Sequence, residues 1–243
     1  MFPGNGASNE QCIQAMTNKP VFRFVSYDTS KYPLAETVAR DVFQIDDLAR
    51  YHERFLQGKT PEPGKPPITY HDNMAARERL KTMDPDCAYY ALQNKLLEEV
   101  VSPLFDCEVL YIRPVFRVQM AGSASVSDWH RDIDVTGQAK MITAWIPFVD
   151  TFDTNTLWVE QEYGKSDYVP IPVRYGQIFM FDSAWLRHGS VRNQTKFTRV
   201  SVDIRVAPLK QVSARSDLGI FRARPAWCTE ENIVPVGPKK QAG

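Results

Sequence analysis

No stretch of the chain approaches the roughly 18 uninterrupted apolar positions of a membrane span, so none is expected. Met1 to Thr17 is polar, with Asn5, Asn9, Glu10 and Gln11, and lacks the basic start and apolar run of a secretory signal. The four cysteines, Cys12, Cys87, Cys107 and Cys228, contain no Cys-x-x-Cys pair. That removes the zinc and dithiol redox motifs and leaves reduced thiols in a cytoplasmic protein as the expectation. Charge of either sign is not in excess. Lys+Arg and Asp+Glu both number 29, which argues against a nucleic-acid partner. Internal repeats and low-complexity tracts are missing as well.

What is present suits an ordinary globular chain. The 243 residues are enough to bury a core without disulfide or metal support, and the hydrophobic share is 43%. Val21 to Phe24 reads as a first strand. Leu34 to Phe55 reads as one helix, with Val38, Val42, Ile45 and Ala49 on an apolar face. TPEPGKPP, over Thr60 to Pro67, must be a loop. A second helix is predicted over Pro85 to Val101, capped by Asp84, with Tyr89, Leu92, Leu96 and Val100 as its stripe. From Val109 the pattern changes to short runs rich in Val, Ile, Phe, Thr and Trp. Strands are predicted over Val109–Met120, Lys140–Phe148, Thr156–Glu160, Tyr168–Val173, Gln177–Phe181 and Arg199–Val206. Helices followed by many short strands predict an α+β fold with a sandwich or jelly-roll barrel. Val236 to Gly243 reads as a loose tail.

Alternation along the strands separates two kinds of face. Arg199, Ser201, Asp203 and Arg205 share one side of the last strand, against Val200, Val202, Ile204 and Val206 on the other. Arg113, Val115, Arg117 and Gln119 likewise oppose Pro114, Phe116, Val118 and Met120. A solvated outer face would explain this. However, solvent faces favour Lys, Glu and Thr, whereas these carry Arg, Gln, Ser and Asp. Such a face suits the lining of a cavity for a small polar ligand.

The histidines carry the chemical signal. There are four, His52, His71, His130 and His188, and His130 opens the run His130-Arg131-Asp132-Ile133-Asp134. Two imidazoles and a carboxylate on a β scaffold can hold a metal on one side and leave the other side open. In a regular strand His130 and Asp132 would share a face. His52 and His71 are expected to be ordinary residues of a helix and an adjacent loop.

His130-x-Asp132, a distant His188 beyond a strand, and Arg199-x-Ser201 on the next strand together resemble the Fe(II)/2-oxoglutarate-dependent oxygenases. Within them, the resemblance looks closest to the phytanoyl-CoA-hydroxylase-like branch and the small oxygenases of antibiotic biosynthesis. It covers roughly Val109 to Pro208; the N-terminal helices fit only loosely. The resemblance implies a double-stranded β-helix (jelly-roll, cupin-like) core over 109–208. It also implies a mainly helical support over 21–108 packed on one sheet and a C-terminal extension over 209–243, all in a single domain spanning 1–243. It implies that His130, Asp132 and His188 hold Fe(II), and that Arg199 and Ser201 hold the far carboxylate of 2-oxoglutarate. Dioxygen is the further co-substrate, and succinate and carbon dioxide are released. The retained Asp132 argues against halogenation; hydroxylation is the expected outcome, with desaturation, ring formation and epimerisation sharing the same ligands. Asp134 is the rival carboxylate.

Substrate contacts are expected from Arg117, Gln119, Trp129, Asn155, Trp158, Asp203 and Arg205. Arg117 and Arg205 together suggest an acidic or zwitterionic small molecule, such as an amino acid derivative or a sugar. No nucleic-acid or membrane partner is expected. Two rival readings use the same residues: a cupin-type metalloenzyme without 2-oxoglutarate, for which Arg199 has no role, and a non-catalytic ligand-binding domain.

Overall fold

The computed structural model describes residues 22–60, 63, 66–105, 109–136, 141–208 and 235–236. Cys12, Cys107 and Cys228, positions 61–62 and 64–65 of the Pro-rich loop, and most of the C-terminal extension lie outside the described residues. Cys87 is described and is a free thiol.

Nine strands are described: β1 Phe22–Ser26, β2 Val109–Gln119, β3 Ile142–Pro147, β4 Leu157–Glu160, β5 Tyr168–Ile171, β6 Gln177–Phe181, β7 His188–Gly189, β8 Arg199–Pro208 and β9 Pro235–Val236. They form a six-stranded sheet, β1-β6-β3-β8-β2-β9, and a three-stranded sheet, β5-β4-β7. Every pairing is antiparallel. Mixed helices and antiparallel sheets bear out the α+β expectation. The strands follow the predicted runs to within a few residues; β7 and β9 were too short for periodicity to show.

Alternation along β8 is what layers the molecule. Val200, Val202, Ile204 and Val206 are 1% exposed or less and pack with Leu34, Val38, Leu80, Tyr89 and Leu96 of the helical layer. Each such aliphatic side chain contributes about 1.5–3 kcal/mol by leaving water. On the opposite side of the large sheet, Trp145, Phe179 and Phe181 pack with Leu157, Val159 and Ile171 of the small sheet. The large sheet therefore lies between the helices and the small sheet.

Three helical expectations need correction. Leu34 to Phe55 is not one helix. α1 (Leu34–Val38) runs into a π turn at Ala39–Phe43, which ends at Gln44 with φ 55°. The chain restarts at Asp47, whose carboxylate accepts the Ala49 amide at 2.8 Å, and leads through a 3₁₀ turn into α2 (Tyr51–Leu56). α3 (Tyr70–Lys81) was not predicted and places His71 in a helix. Its sequence YHDNMAARERLK has little apolar periodicity, and it is held by a capping box between Thr69 and Asp72. α4 begins at Ala88 rather than Pro85. It runs to Leu96 and continues as a π turn to Val101, while Asp84 accepts the Asp86 amide instead of capping.

The helical layer is pinned to the strand that carries the candidate residues. The Thr198 amide donates to the Ala49 carbonyl at 2.7 Å, and the Thr198 hydroxyl meets His52 Nδ1 at 3.0 Å. Residue 198 immediately precedes Arg199. Among the described residues, no helix is long and apolar enough to cross a membrane.

Candidate metal centre

Paired residues in a sheet share a face. Gln119 pairs with Arg199, Arg117 with Ser201, Trp145 with Asp203 and Thr143 with Arg205. These eight side chains therefore project from the large sheet toward the small one. Gln119 and Ser201 are fully buried and Arg199 is 2% exposed, which excludes a solvated outer face.

The small sheet supplies the histidines. His188 pairs with Val159, whose side chain points into the gap. His130 pairs with His188 as an isolated bridge, with mutual amide-to-carbonyl bonds of 3.0 and 2.9 Å. The two rings lie 4.5 Å apart. Asp132 joins them by a route other than the predicted strand. It opens α5 (Asp132–Thr136), and its amide donates to the Ser183 carbonyl at 2.8 Å. Bridge and helix start together, rather than strand alternation, bring the side chains to one point. One ligand atom from each of His130, Asp132 and His188 lies within 4.8 Å of the others. Asp134 is engaged elsewhere, by a two-point pair with Arg131 at 2.8 and 2.9 Å.

Local bonds set the donors. His130 Nδ1 donates to the Asp128 carbonyl at 2.7 Å and His188 Nδ1 to the Leu186 carbonyl at 3.0 Å. A carbonyl only accepts, so each Nδ1 carries a proton and the neutral form of each ring offers its Nε2 lone pair. Burial lowers the His188 pKa to about 4, so the ring is uncharged at neutral pH. Burial also acts to lower His130, but the Asp132 carboxylate and the Asp128 carbonyl outweigh it and the net shift is upward. For Asp132 burial acts upward, and His130 and Arg205 outweigh it, holding the carboxyl far below its usual range. Two neutral nitrogens and a carboxylate oxygen suit a first-row divalent ion such as Fe(II).

Arg205 is the residue whose partner the sequence did not disclose. Its Nη2 donates to Asp132 Oδ1 at 2.8 Å and its Nε to Oδ2 at 3.0 Å. Thr143 Oγ1 adds a 3.4 Å bond to Oδ2 and meets Ser183 Oγ at 2.7 Å. Arg117 pairs with Asp203 at 3.0 Å. Arg117 and Arg205, the pair expected to meet an acidic substrate, both already face carboxylates of the protein.

Arg199 is in the opposite condition. Its Nη1 donates to the Thr156 carbonyl at 3.0 Å, but Nε finds no acceptor among the described residues, and neither does the buried Ser201 hydroxyl a partner. Burial pulls Arg199 down to about 10, which leaves it cationic at neutral pH. A buried cation and hydroxyl with open donor capacity suit an incoming carboxylate. Leu157, Trp145 and Phe181 form the apolar wall of the same cavity.

The remaining candidates divide. Gln119 Nε2 donates to the carbonyls of Val191 and Ala124, so it fastens loops. Asn155 Oδ1 accepts the Phe152 amide at 2.7 Å in a turn. Trp158 alternates with Leu157 and Val159 and so faces away from the gap. Trp129 alternates with His130 and also lies outside, its ring 4.2 Å from that of Tyr168 at a tilt of 42° and against Gly189, where a Cβ would meet the indole at 3.2 Å. Thr143, Ser183 and the apolar wall were missed, since alternation identifies a face but not the partners across it. A larger cleft of about 420 Å³, beside Glu36, Phe148 and Tyr175, contains none of the candidate residues.

No family model matches the chain. The streptomycin biosynthesis protein StrG of Streptomyces griseus is 30% identical over 184 residues, spanning 75% of this chain and 82% of that protein. Non-heme and alpha-ketoglutarate-dependent proteins recur among the solved structures it resembles. They include the non-heme alpha ketoglutarate dependent carbocyclase SnoK from nogalamycin biosynthesis, with TM-score 0.49 and 12% identity over 93% of this chain and 95% of that one. CytC3 with Fe(II) and alpha-ketoglutarate has TM-score 0.46 and 17% identity over 83% and 79%. EctD from S. alaskensis has TM-score 0.46 and 14% identity over 87% and 81%. On the extent of its identity with StrG, the chain belongs to the family of that streptomycin biosynthesis protein.

Proposed function

We propose that this protein is an Fe(II)- and 2-oxoglutarate-dependent oxygenase that hydroxylates a C–H bond of a small polar metabolite in natural-product biosynthesis. The observation that carries the reading is the meeting of two imidazoles, their Nδ1 atoms tied to carbonyls, with the buried Asp132. On this reading the two sheets are the halves of a double-stranded β-helix and the gap between them is the active site. The biosynthetic setting is supported by StrG, whose place is in streptomycin biosynthesis.

His130, Asp132 and His188 would hold the metal. Arg199 and Ser201 would hold the far carboxylate of 2-oxoglutarate, because their open donors match its oxygens. With dioxygen, a bound metal and 2-oxoglutarate would supply the oxidising power for an unactivated C–H bond, with succinate and carbon dioxide as the co-products. The chain's own residues position and exclude. The Asp128 and Leu186 carbonyls fix the imidazole orientations, and Trp145, Leu157 and Phe181 keep water from the reacting centre.

The test is anaerobic and needs no substrate. Fe(II) and then 2-oxoglutarate are added to the metal-free protein, and the weak visible charge-transfer band of an iron-chelated keto acid is sought. The expected result is a band that is lost in His130→Ala. Bound iron without a band would shift the reading to a cupin-type metalloenzyme, and absence of iron binding would remove both.

A further inference from the structure

The Asp132–Arg205 pair is more than a buried salt bridge beside the candidate ligands. The side chains are 2% and 9% exposed, and both carboxylate oxygens are engaged by one guanidinium. The two oxygens are not equivalent. Oδ2 receives Arg205 Nε and Thr143 Oγ1, whereas Oδ1 receives Arg205 Nη2 and lies 3.6 Å from His130 Nε2.

We infer that Arg205 is the resident countercharge and positioning residue of the metal centre: it compensates Asp132 when no metal is bound and restricts Asp132 to one ligand oxygen, Oδ1. The inference rests on the reading that His130, Asp132 and His188 bind a metal.

A carboxylate this deep is strongly unfavourable unless a cation accompanies it. A metal can be that cation only while bound, so the empty site needs another. Among the described residues Arg205 is the arginine or lysine that pairs with Asp132, and it engages both oxygens at 2.8 and 3.0 Å, whereas His130 Nε2 reaches only Oδ1 and stands 3.6 Å away. Arg117 is paired with Asp203, and Arg199 donates to a carbonyl. The fork also restrains geometry. Turning the carboxylate to offer both oxygens to a metal would break both guanidinium bonds, so the protein supplies two nitrogens and one oxygen and keeps the other positions free.

The arrangement has a distinguishing consequence. A guanidinium beside a divalent ion repels it, so Arg205 stabilises the metal-free protein while lowering metal affinity. Removing it should act with opposite signs on the two properties, which a residue needed only for packing would not do.

The test uses the full chain and Co(II) as probe, read by thermal melts and by titration of the Co(II) visible bands. Metal-free Arg205→Gln should melt roughly 10 °C below the wild type. Co(II) should raise the melting temperature of Arg205→Gln by more than it raises that of the wild type, and bind it roughly tenfold more tightly. Arg205→Lys, which keeps the charge and loses the fork, should lie between. The double variant Asp132→Asn/Arg205→Gln, having no buried charge to compensate, should melt above Arg205→Gln without metal. Equal Co(II) shifts in Arg205→Gln and wild type, or a double variant no more stable than the single one, would overturn the inference. If Arg205→Gln does not fold without metal, Arg205→Lys and the double variant carry the same comparison. A wild type that binds no Co(II) would remove the metal reading instead, and the metal-free melts would still decide whether Arg205 compensates Asp132.

Discussion

β8 carries two buried arginines six residues apart on one face, and their surroundings are opposite. Arg205 meets a carboxylate of the protein with two donors at 2.8 and 3.0 Å. Arg199 meets one backbone carbonyl, and its Nε has no acceptor among the described residues. Both are almost completely buried, so burial does not separate them. The difference is whether the countercharge belongs to the fold. At the Arg205 end it does, and the pair is part of the stable structure. At the Arg199 end it is not supplied, which is the condition of a site that waits for an anion.

The contrast can be broken most forcefully from the Asp132 side. Asp132→Ala leaves the Arg205 guanidinium buried without its carboxylate and should cost about 3–5 kcal/mol in urea unfolding at neutral pH. The same substitution should abolish Co(II) binding.

Acid weakens the same end. His188 is held at about 4 in the fold and returns to about 6.5 in the unfolded chain. Between those values the unfolded chain binds more protons, so stability falls as pH falls from about 6.5 to about 4, by roughly 3 kcal/mol. His130, shifted upward, offsets part of this, since its folded form is favoured on the acid side. Below about 4 the loss continues as Asp132, held low in the fold, contributes. Metal-free urea unfolding across this range checks the slope; stability independent of pH from 7 to 4 would contradict it.

Smaller effects sharpen the comparison. Thr143→Val removes one weak bond to Asp132 and the partner of Ser183, and should cost about 1 kcal/mol. Arg199→Met replaces an incompletely satisfied cation with an apolar chain of similar length. Without ligand its stability should lie within about 1 kcal/mol of the wild type, or above it. A large loss in Arg199→Met would place Arg199 with Arg205 as a structural residue.

The strands and the polar lining were legible because alternation has a two-residue period that a single chain displays. Arg199 to Val206 and Arg113 to Met120 show it directly. His130, Asp132, His188 and Arg199 were legible as a set of residue types. Alternation names a face but not its partner, so Arg205 read as a substrate contact rather than as the companion of Asp132. The same alternation places Trp158, between Leu157 and Val159, away from the gap. The helical layer was least legible. α3 has almost no apolar stripe, and only Thr69 and Asp72 mark its start. The break at Gln44 falls inside a run whose apolar spacing continues across it.

The most direct measurement is the affinity for 2-oxoglutarate, by calorimetry with Mn(II) present, of Arg199→Met beside the wild type. The account predicts unchanged Mn(II) binding and a roughly 100-fold weaker 2-oxoglutarate isotherm in the variant, since a buried charge-assisted contact is lost. Equal 2-oxoglutarate affinity in the two proteins would contradict it.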